Sequence, residues 1–337
     1  MFVSLLAVIG LGGIGWLIAP YAPYLFGVIL PLAAILVFLS GVVWRIKNWG
    51  NSPVPFRIPT TGGQQRSLDW IKPARLDSPF SRAATAWRML LEVLLFRSLF
   101  RNTKAEFKDG SRLVYWSSKW LWLFALVFHY CFLTIAVRHL RFFTEPVPFG
   151  VGLLETLDGL MQIGVPRFYM TDALIVAALL FLLCRRLFDQ KIRYISLPGD
   201  YFPLFLLLLL VGSGICMRYL GKADIASVKA FTMGLATFAP ISPAGLPSIF
   251  FIHLLSVTTL LMYFPFSKLM HMGGVFLSPT RNQPNNSRAV RHENPWNPPK
   301  KYHTYAEYED DFRDLMDEAG LPLEITPEQA AAAAAKE

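Results

Sequence analysis

Four of the six histidines in this 337-residue chain stand in, or at the edge of, two long apolar runs. His129 and His139 belong to residues 120–140, WLWLFALVFHYCFLTIAVRHL. His253 lies in a second run, 245–269, and His271 closes it. Ionisable side chains are expensive in hydrocarbon and usually mark a function there. Neutral imidazole is a good iron ligand, and haem iron takes one on each face. Two helices carrying two histidines each can therefore hold two bis-histidine haems. The competing reading is that each imidazole only hydrogen-bonds to a neighbouring helix. Four of them, paired on two spans of opposite direction, favour the ligand reading. No Cys-x-x-Cys-His motif is present, so both groups would be non-covalent haem b. His292 and His303 fall in a hydrophilic tail and read as solvated surface residues.

The elements that must position these ligands are membrane spans. The chain is 54% hydrophobic and 16% charged, against about 25% charged for soluble proteins. A net charge of +9 would point to nucleic acid in a soluble protein; here it reflects loops rich in Lys and Arg, and no nucleic-acid partner is expected. Cys131, Cys184 and Cys216 fall singly in separate apolar runs and form no Cys-x-x-Cys pair, so neither a zinc site nor a disulfide framework is implied.

Residues 1–44 carry no charge and have room for two spans, 2–19 and 24–43, since about 20 apolar residues cross a bilayer. The start has no basic n-region, so a span is expected rather than a cleavable signal. The GLGGIG run at 10–15 resembles a phosphate loop, but its place inside a span points to close helix packing. Residues 45–119 form a polar connection holding 14 of the 32 Lys and Arg residues. Within it, 81–99 reads as an amphipathic helix on the membrane surface or against a partner subunit. Further spans are expected at 120–140, 169–187, 201–220 and 245–269, the last entered by a short loop. The expectation is an all-α, six-helix transmembrane bundle in four parts: an N-terminal hairpin (1–44), a basic loop (45–119), a four-helix dihaem domain (120–272) and a docking tail (273–337). In the tail, Thr304 and Glu307 form a T-x-x-E capping box, followed by an apolar stripe of Tyr308, Phe312, Leu315, Met316 and Ala319. Such a helix has no core of its own, so docking to a soluble partner is expected. The alanine run after Gln329 is expected to fray.

Positive charge fixes orientation. Besides the basic loop, 4 Lys and Arg lie at 185–193 and 8 from Lys268 onward, whereas the two opposite loops hold 3 each. Both termini are then cytoplasmic. His129 and His271 fall in the inner half, and His139 and His253 in the outer half. The His129–His139 spacing of 10 residues rises about 15 Å, and the 18 residues from His253 to His271 rise about 27 Å. Helix tilt, imidazole reach or a bend at Pro265 must absorb the difference.

The pattern His129-x9-His139 and His253-x17-His271 resembles the gamma subunit of respiratory nitrate reductase, a dihaem cytochrome b family, over about residues 115–275. The SKLMHMGGVFLSPTRN stretch around His271, the NPW-containing tail and the basic loop look closer still to the DsrM family of cytochrome b subunits linked to dissimilatory sulfite reduction. That family is tied in turn to the membrane subunit of heterodisulfide reductase. The extra N-terminal span and the large loop depart from the nitrate reductase pattern. The resemblance implies electron exchange between menaquinone and a cytoplasmic iron–sulfur subunit resembling heterodisulfide reductase, within a complex of other membrane and periplasmic subunits in the prokaryotic cytoplasmic (inner) membrane. Quinol chemistry needs proton acceptors in the outer half, where the candidates are Arg138, Glu145, Asp158 and Asp172. Arg138 or Arg141 could equally pair with haem propionates. The alternatives are a haem b subunit of a nitrate- or heterodisulfide-type reductase, a transporter, or an anchor. A transporter should show repeat symmetry, and an anchor has no need of histidines in hydrocarbon.

Overall fold

The computed structural model describes residues 1–52, 62–159, 167–221, 223–278, 280–291 and 302–334. Lys222, His292, the rest of the Pro-rich spacer at 292–301, and Ala335 lie outside the described residues. Fourteen helices occur in the described chain: α1 (Phe2–Leu17), α2 (Leu30–Gly50), α3 (Arg82–Leu95), α4 (Arg97–Phe100), α5 (Lys119–His139), α6 (Phe149–Asp158), α7 (Met170–Phe188), α8 (Gln190–Ile195), α9 (Pro198–Tyr219), α10 (Ile225–Ala236), α11 (Ser248–Tyr263), α12 (His271–Leu277), α13 (Tyr305–Glu318) and α14 (Pro327–Ala334).

Among the described residues, five helical segments are long and apolar enough to cross a membrane: Phe2–Tyr21, Leu25–Gly50, Lys119–Phe142, Pro198–Tyr219 and Ser248–Phe266. The chain is thus a multi-pass helical membrane protein. The expected sixth crossing, α7, is a continuous 19-residue helix. It differs from the five in carrying Asp172 in its first turn and Arg185 and Arg186 in its last.

Helix packing follows the small residues. α9 and α11 pack together, α1 lies against both, α2 covers α11, and α7 stands between α5 and α9. A Cβ on Gly15 of α1 would sit 2.8 Å from the Cα of Ile252, so the backbones of α1 and α11 touch one residue before His253. The close-packing reading of the glycine run holds at that position. Gly41 of α2 similarly admits the Pro265 ring, where a Cβ would stand 2.8 Å away.

The apolar run after Pro247 is not one helix. α11 gives way to a 3-10 turn at Phe264–Phe266, Ser267 is extended (φ −114, ψ 178), and a second 3-10 turn precedes α12. Pro265 removes a donor and bars a continued helix. This break absorbs the mismatch between the two histidine spacings.

Ion pairs gather the connections at two ends. At one end Lys104 meets Asp189 (3.3 Å), Lys191 meets Glu106 (3.2 Å), Lys268 meets Asp200 (2.7 Å), and Ser4 donates to the Pro198 carbonyl (2.7 Å). At the other, Lys229 pairs with Glu145, and Thr232 donates to the Phe142 carbonyl (2.5 Å). Alternating crossings produce this grouping.

Three elements depart from the expected plan. Within the basic loop, β1 (Thr103–Lys108) and β2 (Arg112–Ser117) form an antiparallel hairpin, so the chain is mostly rather than wholly helical. Asp109 (φ 52) and Gly110 (φ 91) make its turn in the left-handed region. On the opposite side of the bundle, α6 and α10 occupy segments expected to be loops.

Residues from Val290 onward belong to a second compact unit. Thr304 and Glu307 form the expected capping box, but the helix is not alone. The Glu309 carboxylate, 2% exposed, accepts the backbone N–H groups of Glu324 (2.8 Å) and Ile325 (2.9 Å). The alanine run is helical in α14 rather than frayed. Of the apolar stripe, Met316 is buried while Tyr308, Phe312 and Leu315 remain exposed. The two N–H donors, that of Glu324 above all, hold the Glu309 carboxyl below the usual glutamate range. A depressed carboxylate stabilises above its unfolded pKa of about 4.3 and loses that contribution as pH falls through the lowered value. Limited proteolysis of the tail should therefore accelerate in acid, below about pH 4. Glu309→Gln should show the fast rate already at pH 7.

Candidate cofactor site: two facing histidine pairs

α5 carries His129 and His139, α11 carries His253, and α12 begins with His271. The antiparallel run of α5 against α11 and α12 brings them together two by two. The imidazole centres of His129 and His271 are 6.0 Å apart with ring planes at 85°; those of His139 and His253 are 6.2 Å apart at 13°. The crossed combinations would have to span the separation along α5, about 15 Å of helix rise.

Each ring is oriented by the same device. Nδ1 lies 2.7 Å from the Ala125 carbonyl oxygen in His129 and 2.7 Å from that of Ile135 in His139. In His271 it lies 2.9 Å from the Lys268 carbonyl, and in His253 3.1 Å from the Leu210 carbonyl. A carbonyl only accepts, so Nδ1 carries the proton and donates, leaving the Nε2 lone pair free. Metal-bound histidines are typically held this way by their second nitrogen. Two nitrogens bonded to one first-row metal ion, each at about 2.0–2.1 Å, set the ring centres roughly 6 Å apart. The two pairs fit a six-coordinate iron whose remaining four ligands come from a macrocycle. Among the described residues no cluster of three or more His, Cys, Asp or Glu could hold a bare ion. Haem iron accepts up to two protein ligands, one on each face, and two are what each pair offers.

α9 completes the outer pair in a way the sequence did not announce. Ser213 Oγ stands 3.3 Å from His253 Nδ1, and a Cβ on Gly214 would lie 3.1 Å from the ring's Cε1. The signal was present in the VGSGIC run of α9, but only packing shows which helix it faces. Gly214→Val should displace His253 and abolish any haem band that depends on the His139–His253 pair, whereas Gly214→Ala should only shift that band. Reduced-minus-oxidised spectra of the purified variants measure both.

Arg138 and Asp172 join a buried network rather than a histidine pair. The Arg138 guanidinium bonds to Asp158, donates to Thr171 Oγ1 (3.1 Å), and lies over the Tyr169 ring at 3.4 Å. Arg218 covers the same ring at 4.0 Å. Asp158 also accepts from the Thr171 N–H (2.9 Å) and hydroxyl (2.6 Å). Asp172 accepts the Tyr219 hydroxyl at 2.8 Å. Arg141 pairs with Glu155 (2.5 Å) and Glu145 with Lys229. The structure thus engages both arginines expected near propionates with acids of, or at the end of, α6. Tyr169, Arg218 and Tyr219 were not singled out from sequence.

The described residues thus form a multi-pass helical bundle with facing histidine pairs at two levels. Residues 88–283, more than half of the chain, match the family model described as nitrate reductase gamma subunit. The chain belongs to the nitrate reductase gamma subunit family. The match begins after α1 and α2. The chain is also 48% identical over 281 residues to the Hdr-like menaquinol oxidoreductase cytochrome b-like subunit of Archaeoglobus fulgidus, covering 81% of this chain and 84% of that protein. To its counterpart in Archaeoglobus profundus it is 45% identical over 276 residues, covering 80% and 82%.

Proposed function

We propose that the chain is the dihaem cytochrome b subunit of a membrane respiratory complex, exchanging electrons between menaquinol and a cytoplasmic iron–sulfur subunit in sulfite or sulfur metabolism. The observation that carries this reading is the pair of histidine pairs, 6.0 and 6.2 Å apart, each ring tied through Nδ1 to a backbone carbonyl. Relatives described as cytochrome b-like subunits of menaquinol oxidoreductases support it. When bound, two haems at different depths supply one-electron redox centres across the bilayer.

The chain's own residues do the rest. His129 and His271 would hold the inner haem, and His139 and His253 the outer one. α7 is the sixth crossing, its terminal charges at the two interfaces, which leaves the basic loop and the tail in the cytoplasm. Of the carboxylate candidates Glu145, Asp158 and Asp172, Asp172 has a neutral hydroxyl rather than a cation as its bonded side-chain partner, which suits it to accept a proton from quinol. The exposed Tyr308, Phe312 and Leu315 offer an apolar face to the cytoplasmic partner.

A pyridine-haemochrome assay on the purified chain should give two haems per polypeptide, all extractable by acidified acetone. A menaquinol analogue should reduce both. A haem content near zero, or haem retained covalently, would refute the assignment.

A further inference from the structure

α3 is turned inside out. Thr85 and Arg88 face the protein, each 4% exposed. Arg88 donates to the carbonyls of Asp77 (3.3 Å), Thr280 (3.3 Å) and Arg281, and Arg281 approaches Glu92 at 3.8 Å. The opposite stripe at helical spacing, Trp87, Leu90 and Leu94, is 54%, 45% and 45% exposed. Against water this arrangement has the wrong sign, because withdrawing apolar side chains from water is favourable and exposing them is not.

Depth identifies what lies against the stripe. Trp122 and Tyr130 of α5 donate to the Leu95 (2.7 Å) and Leu94 (2.9 Å) carbonyls. Both donors belong to the apolar segment Lys119–Phe142. They stand three and eleven residues into it, about 5 and 16 Å of rise. The Phe96 ring meets the His129 ring edge-on at 5.0 Å. The chain reverses at Phe96 (φ 49) and returns through α4, whose Phe100 contacts Trp122 at 4.9 Å. Arg97, directly after the reversal, and Arg101, at the end of α4, both bond to Asp77.

Protein groups also meet much of the tip's backbone. The Phe96 N–H bonds to the Glu92 and Leu91 carbonyls, the Leu94 and Leu95 carbonyls take the α5 donors, and the Ser98 N–H reaches the Glu92 carboxylate (3.0 Å). Non-helical backbone at membrane depth is tolerated only where protein meets its polar groups. We propose that α3 and α4 form a re-entrant elbow dipped into the leaflet at the basic-loop end, with Trp87, Leu90 and Leu94 lying against lipid acyl chains. A helix resting flat on the surface would not bring its last carbonyls to Tyr130. The proposal rests on α5 crossing the membrane and is independent of whether haem is bound.

The test uses the full chain in lipid nanodiscs, with Cys131, Cys184 and Cys216 replaced by alanine. Leu90→Cys, Leu94→Cys and Ser287→Cys are labelled singly with bimane and quenched by acyl-chain spin-labelled phospholipid or by aqueous iodide. Leu90 and Leu94 should be quenched several-fold more by the lipid than by iodide, with Leu94 favouring the deeper label, and Ser287 should show the reverse. Iodide reaching Leu94 as it reaches Ser287 would overturn the elbow. Protection of Leu90 and Leu94 from both quenchers would also overturn it, by showing that protein covers the stripe. The haem spectrum of each sample separates failure of this proposal from failure of the haem assignment.

Discussion

Replacing His139 and His253 together with alanine is expected to halve the haem bound per chain and leave the remaining absorption band nearly unchanged. The same holds for His129 with His271. The crossed change, His129→Ala with His253→Ala, should instead bring haem close to zero, because it removes one ligand from each facing pair. Haem quantitation with low-temperature spectra distinguishes these outcomes. The two pairs differ in ring-plane angle, 85° against 13°, so the two bands should be separable. In the outer double variant, quinol should no longer reduce the surviving haem rapidly, since the proton-accepting candidates lie beside the lost site. Rapid reduction there would move the quinol site to the basic-loop end. Clean loss of a single haem from the crossed variant would disprove the pairing itself.

The second large effect is expected at Arg138. Arg138 and Asp158 have side chains only 11% and 4% exposed. Removing one member of a buried pair strands the other charge, at a cost of about 3–5 kcal/mol. Arg138→Ala should therefore lower the thermal midpoint sharply and loosen α6 from α5. Asp158→Asn should reproduce most of that loss if Arg138 acts through the pair. If Arg138 instead held a haem propionate directly, Asp158→Asn would leave the outer band in place while Arg138→Ala shifted it. Joint replacement by Met and Leu should recover much of the stability, since well-packed apolar pairs replace buried ions at little cost.

Sequence made the long spans legible, because hydrocarbon length and charge exclusion leave a plain record. The expected 120–140 run is α5, Lys119–His139, and Pro20 and Pro23 fall at the turn between the first two spans. The ligand candidates stood out for the same reason, as rare ionisable groups within apolar runs. Other features left weaker records. α6 and α10 are 10 and 12 residues long, too short for composition to separate from apolar loops. The Asp109–Gly110 turn was visible, but the alternation beside it, AEFK and RLVYW, is too uneven to announce strands. The periodicity of α3 gave an amphipathic helix, yet periodicity separates two faces without saying which of them turns outward. Ser213 and Gly214 act on a ligand borne by another helix, and no local pattern reports such a contact.

One difference among the four histidines bears on how the protein is assembled. His129, His139 and His271 lean on carbonyls three or four residues earlier in their own segments, so their orientation is set as soon as each segment coils. His253 leans on Leu210, a residue of α9. Its ring acquires a fixed direction only after two separately inserted helices have met. Ring direction at the His129–His271 pair is thus settled within each segment before α5 meets α12, whereas at the His139–His253 pair it also needs α9 to have packed on α11. Loosening the α9–α11 contact should therefore disturb the ring of His253 and leave the other three histidines as they are.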